Sequence, residues 1–140
     1  MVRGNGEEIT WLDDLVDLIR RLHESIISLS GGLQGEHVAR LYAACARPFQ
    51  TAFGDELYPS DVDKAAALFH AIVSDHPFAD GNKRTATVST IMLLVAMGVI
   101  SDVPNSLQVR LLGEIAVETA QGKLGVDEVG TWLSRILDLD

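Results

Sequence analysis

The stretch Thr85 to Met97 carries apolar residues on almost every side of a helix, and Gly98 follows it. A helix without a broad polar face is unstable at a surface and calls for other helices around it. The remaining sequence supplies them. Leu12, Leu15, Val16, Ile19, Leu22 and Ile26 recur at the three-and-four spacing of one helix face, after Thr10 and Asp13 in the pattern of a capping box. Ser30-Gly31-Gly32 ends that helix. Glu36 to Ala46 is a short alanine-rich helical stretch halted before Pro48. Ser60 with Asp63 opens a helix burying Val62, Ala66, Phe69 and Val73. Pro104-Asn105 opens another through Leu107, Leu111, Ile115 and Val117, and a last one from Val126 uses Val129, Trp132, Leu133 and Ile136. No strict alternation long enough for a central strand occurs. The sequence predicts an all-α bundle of about six helices around a central buried one.

Residues 1–140 are read as one domain, without repeats, low-complexity tracts or a linker. Residues 1–9 are expected to be frayed, and Phe49 to Pro59, with Gly54 and Pro59 and no helical period, to form an extended flap. Eleven Lys/Arg against twenty Asp/Glu leave a net charge of −9, which argues against direct binding of nucleic acid or an anionic membrane surface. The apolar run Ile91 to Ile100 is too short to span a bilayer, and no secretion signal opens the chain. The single cysteine, Cys45, fits a reducing compartment. A cytoplasmic protein is expected.

Between two apolar helices lies His76-Pro77-Phe78-Ala79-Asp80-Gly81-Asn82-Lys83-Arg84. Gly81, Asn82 and Lys83 fall at the first turn of the helix that follows, where backbone N–H groups lack partners and the macrodipole is positive. Such a terminus suits phosphate. Lys83 and Arg84 add full charges, and Asn82 adds a neutral donor. Asp80 is suited to Mg²⁺ beside substrate phosphates, and His76 to the role of general base. Each also has a plainer reading. His-Pro ends helices, Phe78 plugs a core, and Asp-Gly-Asn is ordinary turn chemistry. Cations at a helix start, however, oppose the dipole unless an anion is expected there.

Elsewhere the plain readings are preferred. His70 is a core histidine, and Cys45 and Met92 and Met97 fill the core. His23 and His37 lack the partners of a zinc site. Asp13, Asp14 and Asp17 form a wet helix face.

The run His76 to Arg84, continued by Thr85-Ala86, resembles the signature H-P-F-x-D-G-N-[G/K]-R of the Fic/Doc superfamily. Gly31-Gly32-Leu33-Gln34-Gly35, Ala46-Arg47-Pro48, Tyr58-Pro59 and Lys64 to His70 resemble the death-on-curing (Doc) branch, so the likeness runs over about residues 12–137. It implies ATP as donor and Mg²⁺ as metal. It gives His76 the target hydroxyl's proton and Asp80 the Mg²⁺. Gly81 and Asn82 would shape the anion hole, Lys83 and Arg84 neutralise developing charge, and Phe78 anchor the loop.

Most Fic enzymes transfer AMP to a protein hydroxyl. They carry glycine where this chain has Lys83, and a second arginine where it has Thr87. Both departures are shared with Doc toxins, whose chemistry is phosphorylation of elongation factor Tu, which blocks translation. The resemblance therefore implies a kinase that transfers the γ-phosphate of ATP. An AMP transferase and a non-catalytic Fic-like binding protein remain as alternatives. It also implies that the flap pairs with the target segment, with Arg47 and Gln50 as contacts. No inhibitory [S/T]-x-x-x-E-[G/N] sequence is found, since Thr51 is followed by Asp55 at the fifth position. A Phd-type antitoxin is the implied restraint.

Overall fold

The computed structural model describes residues 5–139, with side chains from 11 onward. Its elements are α1 (Asn5–Ser30), α2 (Val38–Ala46), β1 (Thr51–Ala52), β2 (Asp55–Glu56), α3 (Asp61–Asp75), α4 (Asn82–Ala96), α5 (Ser106–Ala120) and α6 (Val126–Ile136), with a 3₁₀ turn at Arg47–Phe49. The fold is all-α, as the periodicities predict. No helix of the described residues is long and apolar enough to cross a membrane.

The starts of α3 and α5 follow local chemistry. Ser60 accepts from the Asp63 N–H at 3.0 Å to cap α3. Asn105 and Gln108 exchange side-chain and backbone hydrogen bonds in a full capping box at α5. In the first half α1 departs from expectation. It begins at Asn5, so Thr10 lies inside it. A glycine such as Gly6 costs a helix only about 1 kcal/mol, too little to stop one. Residues 1–4 lie outside the described part.

The central helix is also not the one expected. Ala65 to Phe69 and Ala71 to Val73 of α3 are all fully buried, and α3 lies against α2, α4, α5 and α6. In α4 the buried positions are mostly small or hydroxylic, namely Thr85, Ala86, Thr87, Ser89 and Thr90, together with Leu94. Val95 is exposed, and Ile91, Met92, Leu93 and Met97 are only half-buried. The alanine-rich α3 lets neighbours approach closely, and small side chains on α4 complete that contact. Apolar content therefore misidentified the centre. Trp132 is likewise no core residue; it is exposed, with the Arg135 guanidinium 5.5 Å from its ring centre.

The segment 49–59 contains the hairpin β1–β2, turned by Phe53 and Gly54, both with positive φ. Phe53 projects into solvent, while Phe49 packs edge-on to Trp11 at 4.7 Å.

Candidate active site

The signature loop begins where α3 is forced to stop. Pro77 cannot continue a helix, and His76 adopts a left-handed conformation (φ 49°, ψ 62°), uncommon for a residue with a side chain. That turn leaves the imidazole exposed at the end of a buried helix. The preceding Asp75 accepts from Arg47 at 3.1 Å. A carboxylate at a helix C-terminus opposes the macrodipole, and the guanidinium offsets this.

Two side chains then fix the loop from within. Asn82 Oδ1 accepts from the Phe78 N–H at 3.0 Å, and Asn82 Nδ2 donates to the Phe78 carbonyl at 2.8 Å. Both its polar ends are thus engaged, and the buried Asn82 shapes the loop around Phe78. The same Nδ2 lies 3.5 Å from His76 Nδ1, too long to fix the imidazole tautomer. Phe78 itself is buried.

Gly81 (φ +79°) is the N-cap of α4, and its carbonyl accepts from the Thr85 N–H at 2.9 Å. The N–H groups of Asn82, Lys83 and Arg84 precede that first intrahelical bond. No acidic residue occupies the first turn of α4, and Lys83 and Arg84 both do. Lys83 is exposed. Arg84 bends back to α1, donating to Ser30 Oγ at 2.6 Å and to the Gly31 carbonyl at 2.8 Å.

Asp80 accepts from the N–H groups of Leu33 at 3.1 Å and Gly81 at 2.8 Å, with Arg84 Nη2 at 3.9 Å. The Leu33 and Gly81 donors hold its carboxyl below the usual carboxylate range. Half-exposed and ionised, it keeps lone pairs for a cation. Among the described residues no group of three or more His, Cys, Asp or Glu could hold a metal. A cation at Asp80 would therefore be completed by ligands from outside the chain, the habit of Mg²⁺ beside phosphates.

The glycine-rich segment after α1 closes the other side. Gly35 and His37 pair with the loop through Ala79 N–H to Gly35 carbonyl (2.9 Å) and His37 N–H to Pro77 carbonyl (2.7 Å). Arg20 of α1 clamps Glu36 there at 2.6 and 2.7 Å, which holds the Glu36 carboxyl low. Beyond this segment a cleft of about 420 Å³ runs between Gly35–His37 with Arg40 and His76–Ala79. A second cleft, of about 310 Å³ and mainly apolar, leads from Lys83 and Arg84 along Thr87 and Val88 to Val109, Gly113 and Val117 of α5.

His76, Asp80, Gly81, Asn82, Lys83 and Arg84 thus gather at one helix terminus. Of the two flap residues, Arg47 is engaged with Asp75, while Gln50 is exposed and its carbonyl accepts from Leu57 N–H at 3.0 Å. The wall of the cleft beside His76 comes from residues 35–40 instead.

The description of the Fic/DOC family matches residues 11–94 of this sequence. The chain belongs to the Fic/DOC family. It is also similar to Toxin Doc of Mycolicibacterium smegmatis (strain ATCC 700084 / mc(2)155), with 41% identity over 73 residues, which are 52% of this chain and 56% of that protein. The likeness thus spans little more than half the length of that curated relative.

Sequence reasoning missed one part of this family's loop as it stands here. His23 of α1, 2% exposed, stacks on Phe78 with ring centres 3.8 Å apart and planes at 6°, and its Nε2 lies 2.7 Å from the Asp80 carbonyl. A signal for it was present. His23 falls on the same spacing as the buried Val16, Ile19 and Ile27, an apolar stripe where a histidine needs a partner.

Proposed function

We propose that this Fic/DOC chain is a Doc-like toxin that transfers the γ-phosphate of ATP to a protein hydroxyl, with elongation factor Tu as the target. The observation that carries the reading is the opening turn of α4. There unpaired N–H groups and two cations stand without a first-turn carboxylate, beside an exposed imidazole held at the end of a buried helix. An anion is the ligand such a terminus favours.

In this reading the N–H groups of Asn82, Lys83 and Arg84 receive phosphate oxygens, and the Lys83 and Arg84 cations neutralise charge that builds during transfer. His76 accepts the proton of the acceptor hydroxyl, presented from the cleft walled by residues 35–40. The nucleoside lies toward the apolar cleft of α5. Asp80 would hold Mg²⁺, which supplies charge neutralisation to the phosphates. Phe78 and Asn82 keep these groups in register.

Thr87 and Lys83 favour phosphate over AMP as the group transferred. Thr87 is buried, with its hydroxyl donated to the Lys83 carbonyl at 3.0 Å, so no second guanidinium reaches the phosphates from that turn. Lys83 fills the place where glycine would let a phosphate approach the backbone. A Phd-type antitoxin that covers this surface is the proposed restraint, acting in the cytoplasm.

The test uses ATP labelled at the α- or the γ-phosphate, elongation factor Tu as acceptor, and the mass added to it. Transfer of γ-label alone, adding one phosphate, is expected. Addition of AMP would instead establish the adenylyl transferase, and binding of ATP without transfer a non-catalytic role. His76→Ala should abolish transfer with an unchanged circular dichroism spectrum.

A further inference from the structure

Resting on the phosphoryl-transfer reading, we propose that His23 of α1 is a positioning residue for the reaction, setting the height of the signature loop against the opening turn of α4. The Asp80 carbonyl is an acceptor only, so His23 Nε2 at 2.7 Å must carry the proton and donate it. The same imidazole lies flat on Phe78, its ring centre 3.8 Å away. One side chain therefore grips the loop at two points, the backbone of the carboxylate residue and the ring of the anchor.

A merely space-filling role would be met by leucine or phenylalanine, as at Ile19 and Ile27 on the same stripe. A histidine almost fully removed from water is instead costly unless its N–H is used. The rest of α1 works to the same end. About one turn earlier Arg20 clamps Glu36, whose backbone pairs with Phe78. One turn later Ile27 Cδ1 lies 2.8 and 3.1 Å from where a Cβ would stand on Gly32 and on Gly81. The α1 face is a ruler laid against the loop, and His23 is its only contact through a hydrogen bond to the 76–84 backbone among the described side chains of α1.

Without the donor, the Asp80 carbonyl is left without its partner and the loop relaxes. The carboxylate and the N–H groups after Gly81 then drift from their places. A misplacement near 1 Å costs about 10²-fold in rate.

The experiment compares the full chain with His23→Phe, which keeps the stack and removes the donor, and His23→Gln, whose amide nitrogen can replace Nε2. Three measurements are made: kcat and KM for ATP with elongation factor Tu as acceptor, thermal melting, and amide hydrogen exchange of residues 78–84 against α3. His23→Phe should melt above the assay temperature yet lose about 10- to 100-fold in kcat, with KM for ATP little changed. Its loop amides should exchange faster while those of α3 do not. His23→Gln should recover most of the lost kcat. Wild-type kcat and loop exchange in His23→Phe would overturn the proposal. So would a loss that tracks melting, with α3 exchanging equally fast and no recovery in His23→Gln. A wild-type chain that transfers no label sinks the phosphoryl-transfer reading alone. Loop exchange in His23→Phe then still decides whether His23 holds the loop.

Discussion

Gly31 and Gly32 both follow α1 with positive φ, +88° and +131°, yet a side chain would meet the site only at the second. A Cβ on Gly31 would meet nothing within 4 Å. On Gly32 it would stand 2.7 Å from Asp80 Oδ2, 2.8 Å from Ile27 Cδ1 and 3.1 Å from Arg84 Nη2. Alanine at either position carries a backbone penalty of about 1–3 kcal/mol. In a chain of this size that lowers the melting temperature by about 3–10 °C. The steric consequence belongs to Gly32→Ala alone. Ordinary contact begins at 3.4 Å, so the Asp80 oxygen at 2.7 Å must retreat by about 0.7 Å or the segment must move away from it. Either outcome separates Asp80 from the Leu33 N–H and disturbs Arg84. Displacement on this scale predicts a loss of about 10- to 100-fold in transfer rate. Gly31→Ala, with a comparable stability loss, should stay within a few-fold of wild type. The assay is γ-phosphate transfer from ATP well below both melting temperatures. Equal activity in the two variants would refute the close approach of Gly32 to the site.

Other outcomes follow from the same contacts. Arg84→Ala should reduce transfer by at least about 10²-fold, and exchange of the Gly31 amide should speed up because the tie of Ser30 and Gly31 to α4 is gone. The folded carboxyl of Asp80 titrates below its unfolded value, so its stabilisation is present above about pH 4 and lost as pH falls through the folded value. Urea midpoints should therefore drop on acidification below about pH 4, and Asp80→Asn should flatten that drop. Asn105→Ala removes a full capping box at the start of α5 and should cost about 1 kcal/mol in denaturant unfolding. Burial pushes the Cys45 thiol up to about 12, so iodoacetamide should label it only on unfolding.

What the sequence revealed was local. The Ser60 and Asn105 caps rest on groups three residues apart, and the loop's gathering of His76 to Arg84 at a helix start is contiguous in the chain. The central position of α3 was hidden because half of its buried positions are alanines, whose small size reads as weak hydrophobicity while permitting the closest packing. The start of α1 was hidden because a mid-helix capping pattern looks the same as a terminal one. His23 joins Asp80 across 57 residues of chain, and Arg20 joins Glu36 across 16, so no local pattern marks either pair. The committed amide of Asn82 was equally invisible, for its residue type suits a phosphate donor as well as a loop clasp.

Amide chemical shifts can locate where an anion binds this chain. Titrating the ¹⁵N-labelled chain with ATP and Mg²⁺ should move the amides of Gly81, Asn82, Lys83 and Arg84 first and furthest, with smaller shifts at Val109, Gly113 and Val117. Shifts that spare the start of α4 and gather at another surface, such as the groove of Ser60–Asp63 and Asp127, would contradict anion binding at that helix start.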